Sequence, residues 1–274
     1  MPVEGPSGAP DAPDASSASL ESLIHHHSPE VLRAVAAAAR LTEELALALI
    51  SRRDLPADVL ETLARNRSIM KSRRVAIAVF CHPHTPRHIS LPGTRHLYTF
   101  ELMQIALAPA VPADLKMVAE DALMNRLETL PSGERLSLAR RASTRVAAAL
   151  LLDPEQRVIN AALDNPHLTE FWVVGALQKP TATEPFVHAV CRHPKWSLRR
   201  DVQGALLRNG HTPVSRAVYF AKSLPTSMLR DVVTHAPIAA IVKIELLREI
   251  HERETTLQDA KSASAESTKT TEEM

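Results

Sequence analysis

The feature that most constrains this chain is a basic residue that recurs at an almost fixed spacing, each time within an apolar, helix-forming stretch. Successive copies are separated by 41, 42, 41, 43 and 43 residues. A register held over so long a stretch predicts a repeat protein, in which each unit packs on its sequence neighbours. The six copies, which we call the basic ladder, are Arg33, Arg74, Lys116, Arg157, Arg200 and Lys243.

A second recurring pattern marks the turn after several of the ladder helices. Asn, Gly and Pro end the helix, and a Thr is placed to accept a bond from the free amides of the next one. In one copy His82 takes the place of the Asn, and where a further copy is due Ser132 is the predicted cap. Ser28-Pro29-Glu30 predicts an earlier helix start. The copies are Arg40-Leu41-Thr42-Glu43, His82-Pro83-His84-Thr85-Pro86, Asn165-Pro166-His167-Leu168-Thr169-Glu170 and Asn209-Gly210-His211-Thr212-Pro213.

These patterns resemble the V-R…N-P…L-P rhythm of HEAT-like repeats and of the related leucine-rich-repeat-variant proteins. The resemblance rests on Arg199-Arg200-Asp201-Val202 together with the turns at Asn165 and Asn209, and it covers roughly residues 28–252. It implies an all-α, right-handed α-solenoid of about five to six HEAT or armadillo-like units, each about 42 residues long, with two long helices and a shorter third. Such folds imply little about function.

Composition sets the expected boundaries of that fold. Residues 1–19 are rich in Pro, Ala, Ser and Asp, and residues 253–274 have almost no apolar content, so we expect a disordered leader and tail around a solenoid at 20–252. The leader has no secretory signal pattern and no stretch is apolar enough to cross a membrane. Two cysteines are too few for a disulfide framework. We therefore expect a cytoplasmic protein.

Charge is unevenly distributed along the chain. The stretch from Ser28 to Glu252 carries 29 bases against 22 acids, whereas both ends are acidic. A surplus of this size is compatible with an anionic partner but is also common on helical surfaces. Six arginines are the candidate partner-binding surface: Arg52, Arg53, Arg73, Arg140, Arg141 and Arg199.

The basic ladder has two interpretations. Its residues either form a row that binds an acidic partner or a phosphate backbone, or pair with acids and helix ends of the adjacent repeat. We favour the second, structural interpretation, because a stacking position must recur in every unit and a binding position need not.

Other candidates for chemistry have simpler explanations. Cys81, His82, His84 and His88 include metal-ligand types, with His96 nearby, but the turn pattern already accounts for two of the histidines. We therefore predict no metal and no cofactor. Trp172 and Trp196 could serve a HEAT-like DNA glycosylase, yet no glycosylase motif accompanies them, and a core role is favoured. No phosphate loop, nucleophile elbow or metalloprotease motif is present.

Three functional hypotheses follow. The first is a non-catalytic scaffold that presents its helical surface to another protein. The second is a nucleic-acid-binding solenoid that uses the six candidate arginines on a concave face. The third, a minority hypothesis, is a HEAT-like DNA-repair enzyme. Nothing in the sequence indicates a small-molecule substrate or a membrane partner.

Overall fold

A computed structural model describes the backbone of residues 17–272 and the side chains of residues 20–258. Within these ranges the chain forms seventeen α-helices and two short 3-10 helices, with no β-strand, which confirms the all-α prediction. Most of the predicted leader, residues 1–16, lies outside the described residues. The chain divides into two compact units, with the division between Ala122 and Leu123. The single solenoid domain at 20–252 stays a prediction.

Short helices of seven to twelve residues build the first unit. The helix that follows Ser28-Pro29-Glu30 begins at Pro29, as the sequence predicts. The helices are α1 (Ser17–Leu23), α2 (Pro29–Ala37), α3 (Glu43–Ile50), α4 (Ala57–Arg65), α5 (Arg73–Cys81), α6 (Arg87–Thr94), α7 (Thr99–Leu107) and α8 (Ala113–Met124), with a 3-10 turn at Ile69–Lys71.

Nine helices build the second unit, after a 3-10 turn at Leu127–Thr129. They are α9 (Ser132–Arg141), α10 (Thr144–Leu150), α11 (Gln156–Leu163), α12 (Glu170–Leu177), α13 (Glu184–Arg192), α14 (Arg200–Arg208), α15 (Val214–Ser223), α16 (Thr226–His235) and α17 (Ala240–Glu272). The predicted tail boundary at residue 253 falls inside α17. Arg253 donates to the carbonyls of Ala221 and Leu224, which fastens this part of α17 to the end of α15.

Helices pack mainly against the helix two positions further along the chain. In the second unit α9, α11 and α13 form one row, which we call the α11 row, and α10, α12, α14 and α16 form another, the α12 row; α17 packs on α15 and α16. In the first unit α2 packs on α4 and α3 on α5. The apolar residues between the rows are chiefly Leu, Val and Ala, as the low aromatic content requires.

The number of helices in one sequence repeat differs from the number of helices that separates packed neighbours along the chain. The six ladder residues fall on α2, α5, α8, α11, α14 and α17, so one sequence period of about 42 residues covers three helices. These three helices have similar lengths, rather than the two long and one short that we expected; α3, α4 and α5, for example, have eight, nine and nine residues. Because packing advances by two helices, Arg157 and Arg200 lie in different rows of the second unit.

A polar side chain just after a helix end fastens that helix to the one two positions before it. Asn165 donates through Nδ2 to the carbonyls of Ala139 at 2.8 Å and Ala142 at 3.1 Å, and its Oδ1 accepts the amide of His167 at 2.7 Å. The bonds satisfy carbonyls that have no partner within their own helix. We call this arrangement the turn clamp. Its residues are Asn66, His82, Asn165 and Asn209. At the corresponding position after α13, His193 Nε2 bonds the side chain of Asp164 instead.

Histidine replaces asparagine in the clamp that follows α5. His82 Nε2 lies 3.0 Å from the carbonyl of Arg52, and its Nδ1 accepts the amide of His84 at 3.2 Å. The prediction that His82 occupies the position of the clamp asparagines is therefore confirmed. Because Nδ1 is an acceptor, the ring must be neutral with its proton on Nε2. Burial lowers the pKa of His82, and the nearby His84 adds to this effect.

This clamp predicts a pH dependence of stability that one substitution should remove. The folded state disfavours protonated His82. The contribution of neutral His82 to the free energy of unfolding is therefore present above the pKa of histidine in the unfolded chain, about 6.5, and is lost as the pH falls below that value. In His82→Asn the amide can make both clamp bonds without titrating. We expect stability close to wild type at about pH 8 and a smaller loss than wild type towards about pH 5.5, measured by urea unfolding. Equal acid losses in both proteins would contradict this role.

The threonines of the turns do not all act as predicted. Thr42 caps the next helix, with its Oγ1 accepting the amide of Leu45 at 3.3 Å. Thr85 and Thr212 instead donate backwards to carbonyls at the end of the preceding helix, because a proline occupies the cap position that follows each of them. The predicted cap Ser132 is the first residue of α9 and donates to Glu155 at 2.7 Å.

Candidate binding surfaces

Arg52, one of the candidate surface residues, is a structural centre of the first unit. Its Nη1 donates to the carbonyls of Ile24 at 2.7 Å and His26 at 2.8 Å. Its Nε and Nη2 donate to the Asp54 carboxylate, which raises the pKa of Arg52. Only one of its five N–H groups remains for a partner, and the side chain is 17% exposed.

Arg73 is also occupied within the first unit. It donates through Nε to Glu101 at 3.0 Å and through Nη2 to the other carboxylate oxygen, and its guanidinium lies 4.2 Å from the centre of the Tyr98 ring. Arg73 holds the pKa of Glu101 below its ordinary value. Since the pair joins α5 to α7, two helices apart, Arg73 stabilises the stack.

Half of the basic ladder is paired with acids. Arg33 Nε lies 3.0 Å from Asp58 on α4, and Arg74 Nη1 lies 3.2 Å from Glu43 on α3. Both pairs join helices two apart, as expected of stacking residues. Arg157 Nε lies 2.7 Å from Glu155, within the second unit. Among the described residues no acid is within ion-pair distance of the other ladder members, Lys116, Arg200 and Lys243.

The remaining candidate arginines are exposed and carry no ion pair in the part of the chain that the structure describes. Arg53 follows the end of α3 in the first unit. Arg140 and Arg141 are the last two residues of α9, and Arg199 immediately precedes α14. Within the second unit, therefore, the α11 row carries Arg140 and Arg141, whereas Arg199 belongs with the α12 row.

His82, His84 and Trp196 have structural roles. His82 uses both ring nitrogens in its clamp, and His84 Nδ1 lies 2.9 Å from the carbonyl of Leu55. No group of three or more His, Cys, Asp or Glu side chains in residues 20–258 has an arrangement that could hold a metal ion. Trp196 is buried and donates through Nε1 to the carbonyl of Leu163 at 2.8 Å.

Three exposed apolar side chains of the second unit lie close together on α17, where sequence reasoning placed no site. Ile241, Ile244 and Leu247 are 57%, 63% and 48% exposed, and their spacing of three residues puts them on one side of the helix. We call them the terminal stripe. The opposite side of α17 packs inwards through a buried set, Val242, Leu246 and Ile250. The sequence signal that could have located this surface is that residues 241–250 have apolar side chains on both sides of the helix, where burial of one side needs only one set.

Interactions on the inward side hold α17 in place. Besides the Arg253 bonds to the end of α15, Arg230 of α16 pairs with Glu254. Arg253 also pairs with Glu249 at 2.8 Å. Among the described residues, α17 is thus held on one side by these interactions, and no other helix covers the terminal stripe on the opposite side.

Comparison of the chain with protein-family models, with curated proteins and with solved structures finds no significant match. Among the described residues, no helix combines the length and the apolar content that crossing a membrane requires.

Proposed function

We propose that this protein is a non-catalytic cytoplasmic scaffold, a HEAT-like α-solenoid that binds another protein through the exposed apolar side of α17 in its second unit. The observation that carries the proposal is the terminal stripe. An outer helix face that nothing covers is ordinarily polar, but among the described residues three large apolar side chains on α17 remain in solvent. Contiguous exposed apolar surface of this kind marks interaction sites.

The packing of the helices in the second unit indicates which structural element of a partner would bind the terminal stripe. In the second unit α11, α12 and α14 each pack on the helix two positions earlier and on the helix two positions later. The terminal stripe lies on the side of α17 away from α15 and α16, where the next helix of a longer stack would pack. An amphipathic helix of the partner, with apolar residues at every third or fourth position, would continue the established packing.

The positions of the six candidate arginines support a nucleic-acid partner less well than the terminal stripe supports a protein partner. Arg52 and Arg73 are committed to bonds within the first unit, and the ladder residues Arg157 and Arg200 lie in different rows of the second. A continuous basic track is what phosphate binding requires. The exposed arginines at 53, 140, 141 and 199 are the observation that keeps nucleic acid as the alternative.

The test begins by identifying what covers the stripe. A photo-crosslinking amino acid at Ile244 should capture a discrete polypeptide in extract of the native cell, which is then purified and titrated calorimetrically against the full chain. We expect a negative heat-capacity change from apolar burial, and at least about a tenfold loss of affinity in Leu247→Glu, since one buried Leu is worth about 1.5–3 kcal/mol.

Leu198→Glu is the matched control, because Leu198 is 69% exposed in the same unit but lies outside α17. It should leave the affinity unchanged. Duplex and single-stranded DNA are titrated in parallel at about 50 and 200 mM salt. A DNA affinity that falls steeply with salt, combined with no loss of partner binding in Leu247→Glu, would replace the scaffold proposal with the nucleic-acid alternative.

A further inference from the structure

Three helices of the second unit end side by side. Asn165, just after α11, donates to the carbonyl of Ala139 near the end of α9 at 2.8 Å. Trp196, in the connection after α13, donates through Nε1 to the carbonyl of Leu163, the last residue of α11, at 2.8 Å. The C-terminal ends of α9, α11 and α13 are therefore adjacent.

The N-terminal ends of α10, α12 and α14 lie at the same place, because only residues 142–143, 164–169 and 193–199 separate them from the ends of α9, α11 and α13. Asn209, just after α14, donates to the carbonyl of Leu177 at the end of α12, so these two packed helices run in the same direction. We call the six helix ends and the three connections the basic edge. It comprises residues 138–147, 160–173 and 189–203.

The basic edge carries a positive charge that the other ends of the same helices lack. Its residues include seven Lys or Arg and three Asp or Glu. The opposite ends and their connections, residues 132–135, 148–159, 174–187 and 205–208, hold four of each. Six bases of the edge are exposed and carry no ion pair among the described residues: Arg140, Arg141, Arg192, Lys195, Arg199 and Arg200.

The helix dipoles do not account for this surplus. Arg199 immediately precedes α14, where the dipole favours an acid rather than a base. The acids of the edge have local explanations: Asp164 lies 3.1 Å from His193 Nε2, and Glu170 and Asp201 are in the first turns of α12 and α14. With these acids counted, the edge still has a surplus of four basic residues.

Large apolar side chains are exposed among these bases. Phe171, the second residue of α12, is 77% exposed, and Leu198, two residues before α14, is 69% exposed. Half-buried Trp172 lies beside Phe171, with the ring centres 5.8 Å apart. Among the described residues, the opposite ends of these helices expose no large apolar side chain to this degree. Positive charge and apolar surface thus coincide at one edge.

We propose that the basic edge binds the surface of an anionic lipid bilayer. Phe171 and Leu198 enter the headgroup region, and the six exposed bases contact anionic headgroups. Lys and Arg together with Trp, Phe and Leu are typical of surfaces that lie at a membrane interface. Helices that pack about 8–10 Å apart spread these residues along about 20 Å, which suits an extended flat partner.

A nucleic acid matches the edge less completely. Its phosphates would pair with the bases, and a nucleotide base could stack on Phe171, but Leu198 would gain nothing from either contact. The sequence by itself gives no indication of a membrane partner, because the six bases are dispersed between residues 140 and 200 and form no continuous basic run.

The test measures co-sedimentation of the full chain with sucrose-loaded vesicles of phosphatidylcholine, either pure or containing about 30% phosphatidylserine. Only the anionic vesicles should bind, and binding should weaken as the salt concentration rises from about 50 to 300 mM. Arg199→Glu should weaken binding at least about fivefold, because each basic residue near an anionic surface contributes about that factor. Phe171→Ala should weaken it several-fold at unchanged charge.

Lys179→Glu is the matched control. It also replaces a base by an acid at an exposed residue that has no ion pair in the described part of the chain, but Lys179 lies among the opposite helix ends, where the charges balance. Binding should stay within about twofold of wild type. An equal loss in Lys179→Glu and Arg199→Glu would show attraction by net charge alone and would overturn the inference, as would the absence of binding to anionic vesicles.

Trp172 reports whether this edge faces the bilayer. Trp172 is half-buried whereas Trp196 is 1% exposed, so anionic vesicles should shift the emission of Trp172 to shorter wavelengths, and Trp172→Phe should remove the shift. Vesicle binding without a shift would mean that another surface faces the bilayer. Binding of duplex DNA in place of vesicles, abolished by Arg199→Glu, would assign the edge to nucleic acid. Either result would overturn the inference.

This inference goes beyond the proposed function and concerns a different surface, so the two can fail separately. Leu198→Glu should weaken vesicle binding at least about tenfold, since it removes an apolar contact and adds a repelled charge, and it should leave the partner of the terminal stripe bound. Leu247→Glu should have the reverse effects. Loss of vesicle binding in Leu247→Glu alone would place the bilayer on the terminal stripe and contradict the lipid site proposed here.

Discussion

Replacing Arg135 by leucine is expected to lower the unfolding free energy of the second unit by about 3–5 kcal/mol. Arg135 donates to Asp153 at 2.8 Å, to Glu155 at 2.9 Å and to the carbonyl of Leu130 at 2.9 Å. The side chains of Arg135 and Asp153 are only 16% and 4% exposed. The substitution therefore leaves the Asp153 carboxylate buried without its counter-charge.

Urea unfolding followed by tryptophan fluorescence measures this effect, because Trp172 and Trp196 both belong to the second unit. Arg140→Leu is the control, on the same helix but exposed, and should change stability by less than about 0.5 kcal/mol. Adding Asp153→Asn to Arg135→Leu removes the orphaned charge and should recover part of the loss. A loss below about 1 kcal/mol in Arg135→Leu would show that the network is not the stabilising centre that its burial implies.

Asn165→Ala should be the second most damaging substitution, with a loss of about 2–3 kcal/mol. Asn165 is 1% exposed and makes three clamp bonds, so its removal leaves two helix-end carbonyls and the amide of His167 without their partner. The same fluorescence-monitored unfolding applies. Asn160→Ala, on the exposed side of α11, is the matched control and should be nearly neutral.

If Asn165 stabilises the protein through the clamp bonds, different replacements of Asn165 should differ in stability. Asn165→Asp keeps the shape but cannot donate to the carbonyls of Ala139 and Ala142, so it should be as harmful as Asn165→Ala. Asn165→His should recover part of the loss, because a histidine makes the clamp bonds at His82. If the aspartate variant were as stable as wild type, the side-chain donation would not be what holds α11 to α9.

Local features were predictable from the sequence because they depend on nearby residues. Helical spacing of Leu, Ala and Val gave the all-α class, and Ser28-Pro29 gave the start of α2. The equivalence of His82 with the clamp asparagines followed from their shared place in the turn pattern. The direction in which Thr85 and Thr212 bond was not predictable in the same way, because a hydroxyl can serve either the helix before it or the helix after it.

The candidate sites were less predictable, because exposure and pairing depend on distant residues. Arg52 and Arg53 are adjacent in sequence, yet Arg52 is tied to the carbonyls of Ile24 and His26 and Arg53 is exposed without an ion pair in the described residues. Arg73 pairs with Glu101, twenty-eight residues away. A count of basic residues cannot separate these cases. The terminal stripe was missed because residues 241–250 are apolar on both sides of α17.

The sequence by itself determined that this protein is helical, where several of its helices begin and end, and that its pattern recurs about every 42 residues, because propensity, capping and periodicity act within a few turns of chain. Only the tertiary structure decided that packing advances by two helices while the pattern advances by three. Because of this difference between two and three helices, successive ladder residues such as Arg157 and Arg200 lie in different rows. The physical reason is that burial of apolar faces chooses each helix's neighbours, and the neighbours then decide which charges are paired.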